Sequence, residues 1–294
     1  MKRKIDMAYV LFVVILAIFF IVFFTPLISG LIVSFTDWNG MAKSFEFVGI
    51  DNYVKMFSDS RFAKAAGVTI RYALILLVFS ILIGYIIAKT IKNKHRTKAP
   101  MLFISFFPYV VTPIIVCVLW NQLFANLIPS VGQALNIDLL KTNLLAKSDT
   151  AIWAVSFVDL WMLIPYSMLL ILSSLNAIPT DLIEYAELEN ASRWKRFRYI
   201  EFPFLLPAFA MITTIIISYA LTNIDTIMAL TAGGPGRSTE TMYYVIYKNS
   251  TFEYSYGIAE GIIVSLVSIS VFILINRLTN SKETRDVSYG GEGL

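Results

Sequence analysis

The chain has 294 residues, 57% of them hydrophobic and only 15% charged, with a mean hydropathy of +0.70. That much apolar surface excludes a water-facing fold of this size and places the chain in a membrane. The net charge of +4 is spread as short Lys/Arg clusters between apolar runs, a topology signal and not a nucleic-acid surface, so no nucleic acid is expected as a partner.

A helix needs about 20 mostly apolar residues to cross the hydrocarbon core. Six stretches satisfy this: about 8–35, 68–88, 101–124, 152–175, 205–230 and 258–278. The first follows Lys2, Arg3 and Lys4. It is far longer than the roughly 7–15 apolar residues of a secretory signal and lacks a small-x-small cleavage site, so it reads as a retained first helix. Lys89, Lys92, Lys94, Arg96 and Lys98 fill the second connection, Arg193, Lys195, Arg196 and Arg198 the fourth, and Arg277, Lys282 and Arg285 follow the last span. Lys and Arg accumulate on the cytoplasmic side, so both termini are expected there, in a multi-pass cell-membrane protein. The opposite loops, near 36–67, 125–151 and 231–257, mix bases with Asp37, Asp51, Asp59, Asp138, Asp149 and Glu253. They are too short to hold an external domain, so capture of a solute outside falls to another protein. The tail beyond Leu278 is short and polar and reads as frayed.

Pro26, Pro108, Pro113, Pro165 and Pro207 lie in or at the ends of spans. Each removes a backbone donor, which lipid tolerates where a neighbouring helix or a wet cavity satisfies the freed carbonyl. Cys117 is the single cysteine, so no intrachain disulfide is possible and a packing role is expected. His95, the single histidine, stands in a Lys-rich loop with no second ligand nearby; no metal site is predicted.

The fourth connection, 179–203, is charged and lies between two spans. Pro179, Thr180 and Asp181 form a helix start, with Asp181 as cap and Glu184 completing a capping box. Ile183, Ala186, Trp194 and Phe197 recur at helical spacing, with Glu184, Glu187, Lys195 and Arg198 on the other side. The pattern is an amphipathic helix, a turn and a second helix. It fits a docking surface or a helix resting on lipid headgroups.

Polar residues inside spans are candidates for a solute path, since burying them in lipid is costly. In the fourth span Ser156 and Tyr166 share a face with Asp159, and Trp153 lies farther round. In the fifth, Ser218, Thr222 and Asp225 fall on one face, with Tyr219, Asn223 and Thr226 beside it. Hydroxyl, amide and carboxylate groups among aromatic rings suit a sugar, and hydrogen bonding between helices is the alternative use. Arg71 either snorkels or pairs with a carboxylate. Gly233 to Thr239 imitates a phosphate loop without its lysine, so it is a turn and no nucleotide or other cofactor site is predicted. No nucleophile with an adjacent base is present, so the chain is not expected to be an enzyme.

The segment Glu184 to Pro207 resembles the EAA signature of the membrane subunits of binding-protein-dependent ABC importers. That pattern runs Glu-Ala-Ala, then Gly several residues on, then Ile-x-Leu-Pro. Tyr185 replaces the first Ala and Asn190 the Gly; Asn is the next most tolerant residue of a left-handed turn. Phe47-x-Gly49-x-x-Asn52-Tyr53, Pro108, Trp120, Trp161, Pro165, Ile178-Pro179, Phe197-Arg198-x-Ile200-x-x-Pro203 and Leu230 to Pro235 are similar, in order and spacing, to the sugar-type permeases (maltose, glycerol-3-phosphate and multiple-sugar). The resemblance implies an all-α membrane protein with the type I importer permease fold and a cytoplasmic coupling helix. The whole chain would be a single transmembrane permease domain. Its ATPase-coupling residues would be Glu184, Ala186, Glu187, Asn190, Ala191, Ser192, Trp194, Phe197 and Arg198. The implied partners are a second homologous permease subunit, two cytosolic ABC ATPase subunits that hydrolyse the ATP, an extracellular solute-binding protein, membrane lipid and a carbohydrate-like solute. A secondary transporter driven by an ion gradient would instead show inverted repeats and paired intramembrane acids, and no convincing repeat is evident. A membrane-embedded enzyme would need a catalytic constellation at one membrane surface.

Overall fold

The computed structural model describes residues 7–93 and 98–279. Lys2, Arg3, Lys4, Lys94, His95, Arg96, Lys282, Arg285 and the tail beyond Thr279, on which sequence expectations were placed, lie outside the described residues. The described chain is helical, and its one β feature is an isolated bridge between Thr36 and Phe47.

The helices are α1 (Met7–Val33), α2 (Asp51–Ser58), α3 (Ser60–Lys92), α4 (Lys98–Val110), α5 (Pro113–Gln122), α6 (Ile128–Ala134), α7 (Ser148–Asn176), α8 (Thr180–Leu188), α9 (Arg193–Arg196), α10 (Phe202–Thr222), α11 (Asp225–Leu230), α12 (Met242–Phe252) and α13 (Tyr254–Thr279). Six helical segments are long and apolar enough to cross a membrane: Leu11–Val33, Ser60–Lys92, Pro113–Ala134, Ser148–Asn176, Arg193–Thr222 and Tyr254–Arg277. The protein is an all-α, six-span membrane protein.

Two of these depart from the sequence expectation, and proline and asparagine explain why. The run 101–124 is not one helix: α4 stops at Val110, Thr112 is extended (φ −58°, ψ 130°), and Pro113 opens α5. Proline disfavours helical backbone at the residue before it and suits the first helical position, so the third crossing runs from Pro113 onward. The run 205–230 is interrupted at Asn223, whose ψ of 124° ends α10 before α11 starts at Asp225.

Two helices widen into π turns, at Leu123–Leu127 and Phe197–Glu201. Each lies just before a proline, Pro129 or Pro203, which has no N–H for the carbonyl four residues back, and a wider turn re-partners the neighbouring carbonyls.

The chain divides into two compact units, one made of the residues up to Ala63 with Val245–Ser265, the other of Lys64–Tyr244 with the residues from Leu266 on. In the first unit, Asn52 Nδ2 donates to the carbonyls of Ser34 and Thr36, both at 2.8 Å, and the Tyr53 hydroxyl meets Ser34 Oγ at 2.7 Å. These bonds fasten the exit of α1 to α2, and Gly49 turns the chain between them at φ +61°. The Ser255 amide donates to the Trp38 carbonyl at 3.0 Å, and Trp38 stands edge-on to Tyr254. Glu260, fully buried, accepts from Asn249 Nδ2 at 2.9 and 3.0 Å. By contrast α1 has no buried residue in its apolar window and no charged residue, so every side of it is suited to lipid or to another apolar helix.

The second unit is built round α7, the most enclosed span. Ile152, Val155, Val158, Met168, Ile171, Leu172 and Leu175 of α7 are buried with Tyr72 and Leu76 of α3, Val116 and Cys117 of α5, and Leu205, Ile212 and Ile216 of α10. Gly84 lets α3 approach α7 closely, since a Cβ there would lie 3.2 Å from the Met168 amide nitrogen.

Candidate functional site

The connection between α7 and α10 folds as an elbow. Helix α8 starts at Thr180 with Pro179 before it, so Asp181 sits inside the first turn and not at the cap, and no side chain caps this end. Asp181 still suits the positive end of the helix. The turn is made at Asn190, with φ +49°, the left-handed backbone that asparagine tolerates. The Asn190 amide donates to the Glu187 carbonyl at 3.0 Å and the Ala191 amide to the Ala186 carbonyl at 2.9 Å. Ser192 then caps α9, its hydroxyl accepting from the Lys195 amide at 3.3 Å. Across the bend Arg196 reaches Glu187 Oε1 at 3.1 Å.

The elbow's apolar residues part company. Ala186 is buried and Ile183 and Phe197 are half-buried, but Trp194 is 69% exposed. The turn at 189–192 separates Trp194 on α9 from Ile183 and Ala186 on α8, so the four residues do not form one buried face. Tyr185, Leu188 and Tyr199 are also exposed, as are Glu184, Glu187, Asn190 and Arg198. The outer face of the elbow thus offers large apolar groups ringed by both signs of charge.

The intramembrane polar residues form a second cluster. Asp159 is fully buried and accepts from the hydroxyls of Tyr72 (2.5 Å), Tyr219 (2.7 Å) and Thr226 (2.7 Å). Asn223 Nδ2 donates to the Tyr72 hydroxyl at 2.9 Å. One carboxylate therefore ties α3 and α7 to both sides of the break between α10 and α11. Ser156, a turn earlier on α7, is buried and its Oγ has no partner.

The rest of the predicted path set is not gathered here. Tyr166 stacks on Tyr109, ring centroids 5.9 Å apart. Trp153 opens instead onto an apolar groove of about 770 Å³ with Trp120, Phe124, Phe157 and Phe79. Ser218, Thr222 and Asp225 are exposed on the outside of the second unit, and the Thr222 hydroxyl bonds back to the Ser218 carbonyl at 2.8 Å. Arg71 is exposed. Among the described residues, no group of three or more His, Cys, Asp or Glu is placed to hold a metal ion. The phosphate-loop imitation is a stapled turn: Thr239 Oγ1 donates to the Gly234 carbonyl and meets Thr231 Oγ1, both at 2.8 Å, and the Tyr244 hydroxyl donates to the Ala232 carbonyl at 2.6 Å. Gly233 is required there, with φ +82° and the Tyr244 ring 2.7 Å from where a Cβ would stand.

Sequence reasoning missed Tyr72, which looks like one aromatic among many in an apolar span. It also missed the grouping of Tyr85 and Lys89 with Glu201, 116 and 112 residues away.

Comparison with known proteins identifies the family. The model of the family described as "Binding-protein-dependent transport system inner membrane component" matches residues 80–283. The chain belongs to that family. A Streptococcus mutans relative, "Multiple sugar-binding transport system permease protein MsmF", is 34% identical over 89% of this chain and 90% of its own length. The "Probable starch degradation products transport system permease protein AmyD" of Thermoanaerobacterium thermosulfurigenes is 29% identical over 90% of each chain. The "sn-glycerol-3-phosphate transport system permease protein UgpA" of Escherichia coli is 28% identical over 81% of this chain and 82% of its own. Among solved structures, a chain of a bacterial ABC transporter involved in alginate import superposes with a TM-score of 0.78, at 19% identity, covering 94% of this chain and 97% of that one. The permease is the membrane-spanning subunit of an ATP-driven importer, and these relatives do not favour an ion-gradient-driven transporter.

Proposed function

We propose that this permease lines the path of a carbohydrate or closely related solute and that its elbow docks into a cytosolic ATPase subunit. The observation that carries the docking is the elbow's outer face: Tyr185, Leu188 and Trp194 are 66%, 78% and 69% exposed beside the exposed Glu184. A helical bend resting on headgroups would expose a basic rim and turn such groups into lipid; a cleft in a partner accepts both together. The Lys and Arg clusters support a cytoplasmic elbow and cytoplasmic termini.

In this reading ATP is hydrolysed on two partner subunits, a second permease subunit completes the pathway, and an external binding protein delivers the solute. The exposed face of Ser218 and Thr222 on α10 turns towards that second permease subunit. Asp159 serves the helix framework and not the solute, because its oxygens already hold three donors. The relatives' names, multiple sugars and starch degradation products, support a sugar cargo.

The test is uptake by the assembled transporter in proteoliposomes, with radiolabelled maltotriose first in an oligosaccharide panel. ATP-dependent uptake that Glu184→Lys abolishes, with the chain still in the membrane, supports the reading. Normal ATP-coupled uptake in that variant, or an elbow that touches only lipid in the intact assembly, defeats it.

A further inference from the structure

One face of α3 meets both segments from which the elbow hangs. Tyr85, Lys89 and Lys92 are spaced four and three residues apart and so line up along the helix. On the entry side, Lys92 Nζ donates to the Leu175 carbonyl, in the last turn of α7, at 2.5 Å. On the return side, Lys89 Nζ reaches both carboxylate oxygens of Glu201, at 3.1 and 2.9 Å, and Glu201 is mostly buried with its side chain 17% exposed. The Tyr85 hydroxyl donates to the same carboxylate at 2.6 Å and accepts from Lys89 at 2.8 Å. Its ring stands edge-on to Phe197, centroids 5.7 Å apart, so both ends of the π turn that leads out of the elbow are held.

The other end of the rod is fastened as well. Helix α3 has no proline and runs unbroken to Lys92, and Tyr72 on it donates to Asp159, which holds both sides of the α10–α11 break. From Tyr72 to Lys89 a straight helix rises about 25 Å. Charge-assisted bonds at one end and a buried polar knot at the other resist sliding in a way that apolar contacts do not.

We propose that Tyr85, Lys89 and Lys92 form a latch through which α3 carries displacement of the elbow to the broken fifth span. They are positioning residues, gripping both roots of the elbow. This rests on the reading of the elbow as the ATPase dock.

The test uses the full assembly in proteoliposomes with an Ala229→Cys reporter on α11, where Ala229 is exposed and the native Cys117 is buried. The rate of maleimide labelling is measured with and without ATP and vanadate, together with the amount of nucleotide trapped. The latch predicts a nucleotide-driven change in rate that Glu201→Gln or Lys89→Met shrinks about fivefold or more, with trapping unchanged. Lys89→Glu combined with Glu201→Lys restores it. A full change in the single variants, no recovery in the exchanged pair, or no change in the unaltered latch overturns the proposal. If either single variant fails to assemble, Tyr85→Phe, which keeps the ring and removes only the hydroxyl, is measured in its place, and an undiminished change there is equally fatal. Absence of ATP-dependent uptake by the unaltered assembly removes the reading of the elbow. Intact uptake with labelling indifferent to the latch removes only this proposal.

Discussion

Tyr72 and Asp159, 87 residues apart in sequence, share a 2.5 Å hydrogen bond inside the membrane-spanning bundle. The carboxylate takes two further hydroxyl donors, from Tyr219 and Thr226. Removing a donor therefore differs from removing the acceptor.

Tyr219→Phe deletes one bond of several and is expected to cost about 1 kcal/mol, while Asp159→Ala strands two buried donors and one half-buried donor and costs about 3 kcal/mol or more. Thermal unfolding of the purified chain in detergent gives the order. Equal losses, or a milder loss for Asp159→Ala, would contradict the knot.

Two glycines are predicted to respond with opposite sign. At Gly132 a Cβ would lie 2.4 Å from the Leu140 carbonyl carbon and 2.7 Å from the Lys141 nitrogen, backbone that cannot step aside cheaply. Gly132→Ala should destabilise by about 1–3 kcal/mol. Nothing stands within 4 Å of the Cβ position at Gly67, inside α3, and Gly67→Ala should stabilise by about 0.5–1 kcal/mol. The same melting experiment reads both signs.

At the bend, Asn190→Gly is expected to keep the elbow and its transport activity, because glycine adopts positive φ freely. Asn190→Val should weaken both, by about 1–2 kcal/mol for left-handed backbone in a branched residue. Uptake that survives valine but fails with glycine would show that the side chain, and not the backbone, is what matters there.

Breaking the Glu187–Arg196 pair should scarcely move stability. The Glu187 side chain is 61% exposed, and exposed ion pairs contribute less than about 1 kcal/mol. Uptake lost in Arg196→Ala at an unchanged melting temperature would assign the arginine to the partner surface; a large fall in melting temperature would refute the estimate.

What could be read from the chain follows from how local each signal is. Span number and the elbow come from hydropathy and short-range helix signals, and the left-handed turn from one asparagine. Breaks were harder. Pro113 is visible as a proline in or at the end of a span, yet whether a proline bends or ends a helix depends on neighbours distant in sequence. At Asn223, where α10 ends, the side-chain amide donates to Tyr72 on another span, a pairing that spacing along the chain does not show. The Asp159 cluster was half-legible: Tyr219 and Thr226 sat near the right face, but their convergence on Asp159 needed the packing of four helices. Trp194 recurs at helical spacing with Ile183 and Ala186, but a turn lies between them, and local spacing does not show which way the second short helix faces.

The π turn at Phe197–Glu201 has one more implication. Such a turn holds one residue more than the α-helix it interrupts, and each residue in an α-helix corresponds to about 100° of rotation. Excising a single residue there would restore regular pitch with little net rotation, because the wide turn already absorbs the extra residue; adding or removing one in the regular helix beside it would instead swing the bend through roughly a quarter-turn relative to the fifth crossing. The compass bearing of the elbow is thus set by the residue count and the wide turn together upstream of Pro203, independently of any group on the elbow's own surface.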